Sequence, residues 1–119
     1  LSVRLEEIYN SVIKLIKKYN PEIVSVEKLY FAKNVKTALD VGQARGVVML
    51  AIQQRQKELI EFTPLQIKQA VTGNGQASKR QVGLMVKTIL NLQAVPKPDD
   101  AADALAAAIA AAFFNRKLV

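Results

Sequence analysis

Three carboxylates stand in two short segments far apart in the chain. Glu27 follows Ile23-Val24-Ser25-Val26, and Asp100 and Asp103 lie in Asp99-Asp100-Ala101-Ala102-Asp103-Ala104-Leu105-Ala106. The first segment is β-branched and reads as a buried strand, and its carboxyl end is the edge that faces the ligand crevice in open α/β sheets. Asp100 and Asp103 are three apart and share one face of a helix. Like charges a few ångströms apart raise each other's pKa, so gathering such acids is costly without a cation. Mg²⁺ suits them: it takes oxygen ligands, a few carboxylates completed by water and phosphate oxygens. A metal so held activates water and stabilises charge on a phosphate. Mn²⁺ is the alternative ion. Plainer readings stand beside this one. Glu27 can be a solvated residue at a strand exit, and Asp99 and Asp100 can cap a helix and offset its dipole. Asp103 is less easily explained that way, because Ala102, Leu105, Ala106 and Ile109 surround it with small apolar groups.

The composition narrows the chemistry. There is no histidine and no cysteine. Histidine general bases, Ser-His triads, imidazole or thiolate metal sites and disulfides are therefore excluded, which leaves carboxylates, lysines, hydroxyls and bound water. Seventeen Lys and Arg against ten Asp and Glu give a net charge of +7, which favours a polyanionic partner such as nucleic acid. Lys28, Lys33, Lys36, Arg45, Lys68, Lys79 and Arg80 are candidate phosphate contacts. Tyr30-Phe31 can be core, partner contact or a platform on which an unpaired base stacks. No apolar run reaches the ~18 residues of a membrane span, and no signal-peptide pattern is present. Together these point to a divalent-metal nuclease centre in a basic, DNA-binding surface, within one domain over residues 1–119.

The elements that must position these groups follow from spacing. Ser2 can cap a helix with apolar positions Leu5, Ile8, Val12, Leu15, Ile16 and Tyr19, ended by Asn20-Pro21. After the strand Ile23 to Val26 and a loop from Tyr30 to Lys36, Thr37 opens a long helix to about Gln56. On it Gly42 and Gly46 make a small-residue stripe, fit for close packing inside the domain or for a subunit interface. Leu59 to Phe62 reads as a second strand. Thr63-Pro64 caps a short helix to about Val71, Gly73-Asn74-Gly75 is a turn, and Ser78 caps a helix with apolar Val82, Met85, Val86, Ile89 and Leu90. Pro96 and Pro98 bracket a stiff loop before a last helix from about Asp99 to Arg116. Strands alternating with helices predict α/β architecture with parallel pairing.

The segments Glu27-Lys28-Leu29-Tyr30-Phe31-Ala32-Lys33-Asn34, Leu39-Asp40-Val41-Gly42-Gln43-Ala44-Arg45-Gly46, Gln66-Ile67-Lys68-Gln69 with Gly73-Asn74-Gly75, and Asp100 to Ala106 together resemble the RuvC family. These are bacterial crossover-junction endodeoxyribonucleases, or Holliday junction resolvases. The resemblance implies a ribonuclease H-like fold and a cytoplasmic homodimer that nicks four-way DNA junctions symmetrically by Mg²⁺-dependent hydrolysis. The branch-migration proteins RuvA and RuvB are its implied partners. By this likeness Glu27, Asp100 and Asp103 are metal-binding catalytic carboxylates. Tyr30 corresponds to an aromatic that stacks on junction bases, Lys68 and Lys79 to DNA-contacting lysines, and the helix with Gly42 and Gly46 to the dimer helix; Phe31, Lys33, Asn34 and Arg45 are further candidate DNA contacts. Two departures stand out. The family's first catalytic aspartate, on an N-terminal strand in an Asp-x-Gly setting, has no counterpart here, so two parallel strands and about five helices of the fold remain. A molecule beginning at Leu1 is expected not to cleave, whereas a parent that carries that strand is expected to be an active resolvase; the alternative is a branched-DNA binding module that does not cut. One extra residue in Pro96-Lys97-Pro98-Asp99 also makes Asp99 a rival to Asp100.

Overall fold

A computed structural model describes residues 1–28 and 35–115. The elements run α1 (Ser2–Tyr19), β1 (Ile23–Glu27), α2 (Val35–Gln54), β2 (Glu58–Phe62), α3 (Pro64–Thr72), α4 (Lys79–Ile89) and α5 (Asp99–Asn115). The α/β class and the count of five helices with two strands hold among the described residues. Tyr30, Phe31, Lys33, Asn34 and Arg116 lie outside them. Two compact units divide the chain: one holds α1, α2 and the leading residues of both strands, the other their trailing residues with α3, α4 and α5.

In the first unit α1 packs against α2, closing Ile16, Ala51 and Ile52 from solvent. Asn20 ends α1 in the left-handed region at φ 45°, with its N–H donating to Ile16 O, and Pro21 follows. Tyr9 Oη donates to Gln54 Oε1, and Lys57 Nζ donates to Asn20 Oδ1 at 2.6 Å. Two expectations are corrected here. Ser2 sits within α1, and Leu1 holds the cap position without a side-chain cap bond. Leu15 and Tyr19 are exposed, because the seam with α2 is narrower than the apolar face that the spacing describes. Around Gly42 and Gly46 an added Cβ would meet no atom within 4 Å, so packing within the described residues does not explain that stripe.

The strands pair in parallel. Glu58 N–H donates to Glu22 O at one end of the ladder and Lys28 N–H to Phe62 O at the other, so both chains advance together. Every residue of β1 is half-buried, against the expectation of a buried strand. Among the described residues the sheet has two strands, β1 beside β2.

The second unit is built on paired capping signals. Thr63 Oγ1 accepts from Gln66 N–H while Gln66 Oε1 accepts from Thr63 N–H, and Ser78 and Gln81 repeat the arrangement. Gly73 closes α3 at φ 80°, a conformation that favours glycine. Phe62, Ile67, Val71, Val82, Val86 and the small side chains Ala106, Ala107 and Ala110 form the core. Met85 and Leu90, expected in that core, are exposed: α4 turns Val82, Gly83 and Val86 inward.

Gly83 is buried for a steric reason. A Cβ there would lie 2.9 Å from Val95 Cγ1, closer than real contacts allow. Alanine gains up to about 1 kcal/mol of helix propensity, whereas overpacking costs about 1–3 kcal/mol. Gly83→Ala is therefore expected to lower unfolding free energy by about 1 kcal/mol, seen as a lower denaturant midpoint at unchanged slope.

Candidate active site

Ser25 fixes where β1 meets α5. Its hydroxyl donates to the Ala107 carbonyl at 2.7 Å, where the buried side chains Ala106, Ala107, Ala110 and Ala111 keep α5 slim. Glu27 lies two residues further on the same side of the strand, about 6.6 Å along it. Asp103 lies four residues back from Ala107 on α5, about 6 Å along the helix axis. The near-equal offsets bring the two carboxylates to one place. Glu27 and Asp103 line a cavity of about 180 Å³ with Lys68, Lys79, Pro64, Ile67, Val82 and Ala106.

The electrostatics of that cavity show in Glu27. Its carboxyl is held above the ordinary 4.5, first by burial and second by the negative charge of Asp103, while the Lys79 and Lys68 ammonium groups pull it down. Lys79 Nζ lies 3.6 Å from Asp103 Oδ2 and 3.9 Å from Asp99 Oδ2. All three side chains are substantially open to water, so these ion pairs orient Lys79 more than they stabilise the fold. Lys79 also stands in the first turn of α4, which holds no acid, and there the helix dipole disfavours a cation and favours an anion.

Of the expected site residues, the structure unites Glu27, Asp103, Lys68 and Lys79. Asp100 does not line the cavity; it occupies the first turn of α5 beside Asp99. Asp99 and Asp103, four apart, are the pair that shares Lys79, whereas the sequence emphasised Asp100 and Asp103. Among the described residues no three carboxylates cluster closely enough to hold a metal ion. Arg45 belongs to the first unit, on α2, where Nη1 donates to Met49 Sδ at 3.4 Å. Ser25 was missed by sequence reasoning, as was the clamp of Lys79 between Asp99 and Asp103. The only sequence trace of the clamp is the four-residue spacing of the two acids.

A divalent cation fits what the cavity offers. Two oxygen donors of like charge converge, one of them with its ionised form disfavoured, and Mg²⁺ ordinarily binds through one or two carboxylates with water and phosphate oxygens completing its shell. The sign of the penalty gives a test without catalysis. Because the folded-state value of Glu27 is raised, its contribution to stability is fully present below the unfolded value and is lost as pH rises through the folded one. Without divalent cations, Glu27→Gln should match the parent near pH 4 and become the more stable of the two as pH rises towards neutrality. Adding Mg²⁺ at pH 7 should restore the parent selectively. Urea titrations across that range check both.

Comparison with known proteins gives a consistent result. Residues 1–111 match the family model described as crossover junction endodeoxyribonuclease RuvC. The crossover junction endodeoxyribonuclease RuvC of Halothermothrix orenii is 58% identical over 106 residues, which cover 89% of this chain and 64% of that protein. The protein of the same name from Natranaerobius thermophilus is also 58% identical over 106 residues, covering 89% and 66%. The chain thus spans about two thirds of the length of these relatives. Among solved structures, Thermus thermophilus RuvC superposes with a TM-score of 0.89 at 38% identity, covering 96% of this chain and 69% of that one. The same organism's RuvC in complex with a Holliday junction substrate gives a TM-score of 0.87 at 35% identity, with the same coverage. These likenesses agree with the expected ribonuclease H-like fold. Among the described residues, no helix is long and apolar enough to cross a membrane.

Proposed function

The chain belongs to the RuvC family, and from that premise we propose that it forms the catalytic part of a Holliday junction resolvase, a divalent-metal endonuclease acting on four-way DNA. One observation carries the reading. Glu27 and Asp103, from distant segments, line one cavity together with Lys68 and Lys79. Acids for a cation and cations for a phosphate then stand side by side, as phosphodiester hydrolysis requires.

In this mechanism Glu27 and Asp103 would hold Mg²⁺ or Mn²⁺; Asp100, the third expected ligand, stands in the first turn of α5 outside that cavity. When bound, the metal supplies an activated water and stabilises charge on the scissile phosphate. Lys68 and Lys79 bind and orient the flanking phosphates, and Asp99 keeps Lys79 over the cavity. Tyr30, Phe31, Lys33, Asn34 and Arg45 are proposed as further DNA contacts on the family likeness alone. The open ground around Gly42 and Gly46 supports α2 as the homodimer helix. A bacterial cytoplasmic setting and partnership with RuvA and RuvB rest on family membership alone.

A gel assay with a synthetic four-way junction tests the reading. The complete protein should bind with or without metal and release paired, ligatable nicks only with Mg²⁺ or Mn²⁺. Binding that weakens steeply with salt, with no metal-dependent product from the complete protein, would instead make it a branched-DNA binding module.

A further inference from the structure

A second cavity, of about 360 Å³, is lined by Thr72, Asn74, Ala77, Gln81, Leu84 and Met85, from α3, α4 and the loop between them. We infer that it is a nucleobase site that selects bases presenting carbonyl acceptors. The inference builds on the DNA-binding reading above and adds a specificity function to it.

The chemistry of the rim is fixed by hydrogen bonds within the loop. Asn74 Oδ1 accepts from Gln76 N–H at 2.9 Å, and Gln81 Oε1 accepts from Ser78 N–H at 2.8 Å. A backbone N–H can only donate, so both amide orientations are determined by their partners. Each side-chain oxygen therefore already accepts one bond from the protein, which turns its NH₂ group outward as the group left to offer. Thr72 Oγ1 is likewise engaged, donating to Lys68 O at 2.7 Å and accepting from Asn74 N–H at 3.0 Å. The hydrogens that the polar rim has left to donate are thus those of the two amide NH₂ groups. Its floor is apolar: Ala77 is buried, and Leu84 and Met85 are exposed side chains of the kind on which a flat base rests.

Position identifies the occupant. Thr72 lies one turn after Lys68 on the same face of α3 and bonds its carbonyl, so the groove continues along α3 from a phosphate-binding lysine. A strand with a phosphate at Lys68 presents a neighbouring base to the groove. Two amide donors match the O6 and N7 acceptors of a 6-keto purine. They oppose adenine, whose exocyclic amine brings a donor against a donor.

The test compares two pentanucleotides that differ only in a central deoxyinosine or deoxyadenosine, a keto-for-amine exchange on one purine frame. Their binding to the chain is followed through the side-chain NH₂ signals of Asn74 and Gln81 by NMR. The inosine strand is expected to perturb both signals and to bind at least about tenfold more tightly. In Gln81→Glu the carboxylate still accepts from Ser78 N–H and keeps the cap, but it replaces a donor with an acceptor, and the preference should fall to parity or invert. Equal affinity for the two strands, silence of both signals, or an unchanged preference in Gln81→Glu overturns the inference. Failure here leaves junction cleavage untouched, and absent cleavage with the base preference intact removes only the nuclease reading.

Discussion

Glu27→Gln in the complete protein is expected to reduce Mg²⁺-dependent nicking of a four-way junction by about a thousandfold or more, with junction binding kept. The size follows from losing an oxygen anion that faces the reacting phosphate region, on the scale of removing one preorganised charge-stabilising group. The substitution is nearly isosteric, and Ser25 Oγ continues to tie β1 to Ala107 O, so the cavity keeps its shape. Binding survives because Lys68 and Lys79 supply the phosphate contacts, and removing a nearby negative charge does not weaken them. Asp103→Asn should behave alike, since the two carboxylates line one cavity. Single-turnover nicking and gel-shift assays on the same samples separate chemistry from binding. Retained cleavage in either variant removes the site assignment.

Lys79→Ala is expected to move metal and DNA in opposite directions. Lys79 is the cation within 4 Å of both Asp99 and Asp103, and it lowers the pKa of Glu27. Without it the carboxylates face each other with less compensation, so a divalent cation should bind more tightly. Junction binding should weaken and its salt dependence should flatten by about one unit of log-log slope, the signature of a lost phosphate contact. Cleavage should fall by about a hundredfold, because charge on the phosphate loses a fixed donor. Mn²⁺ titration and gel shifts at several salt concentrations give the two opposite responses. A parallel loss of metal and DNA affinity would mean that the substitution damaged the fold instead.

Much of this site was legible before any coordinates. Thr63-Pro64 and Ser78 marked two helix starts because capping is a local property, decided within four residues, and both form reciprocal boxes. Glu27 and Asp103 were legible because a carboxylate after a β-branched run and another among alanines are conspicuous where they stand. Lys79 is different. Its ion pairs depend on α4 lying against α5, which is a tertiary fact. For the same reason spacing could not decide between Asp99 and Asp100, since first-turn acids look alike until a partner from another element meets one of them. Met85 and Leu90 share the apolar spacing of Val82 and Val86 yet stay exposed, because spacing does not reveal how wide a stripe the neighbouring helices cover. Ser25 escaped notice because a serine in a strand carries no signal of the helix carbonyl it will reach.

Crystals of the protein soaked in Mn²⁺, with anomalous scattering recorded at the manganese edge, test the central claim most directly. The account predicts a peak coordinated by carboxylate oxygens of both Glu27 and Asp103, within the cavity that Lys68 and Lys79 border. A manganese ion bound elsewhere, or a cavity in which neither carboxylate contacts metal at saturating Mn²⁺, would contradict it.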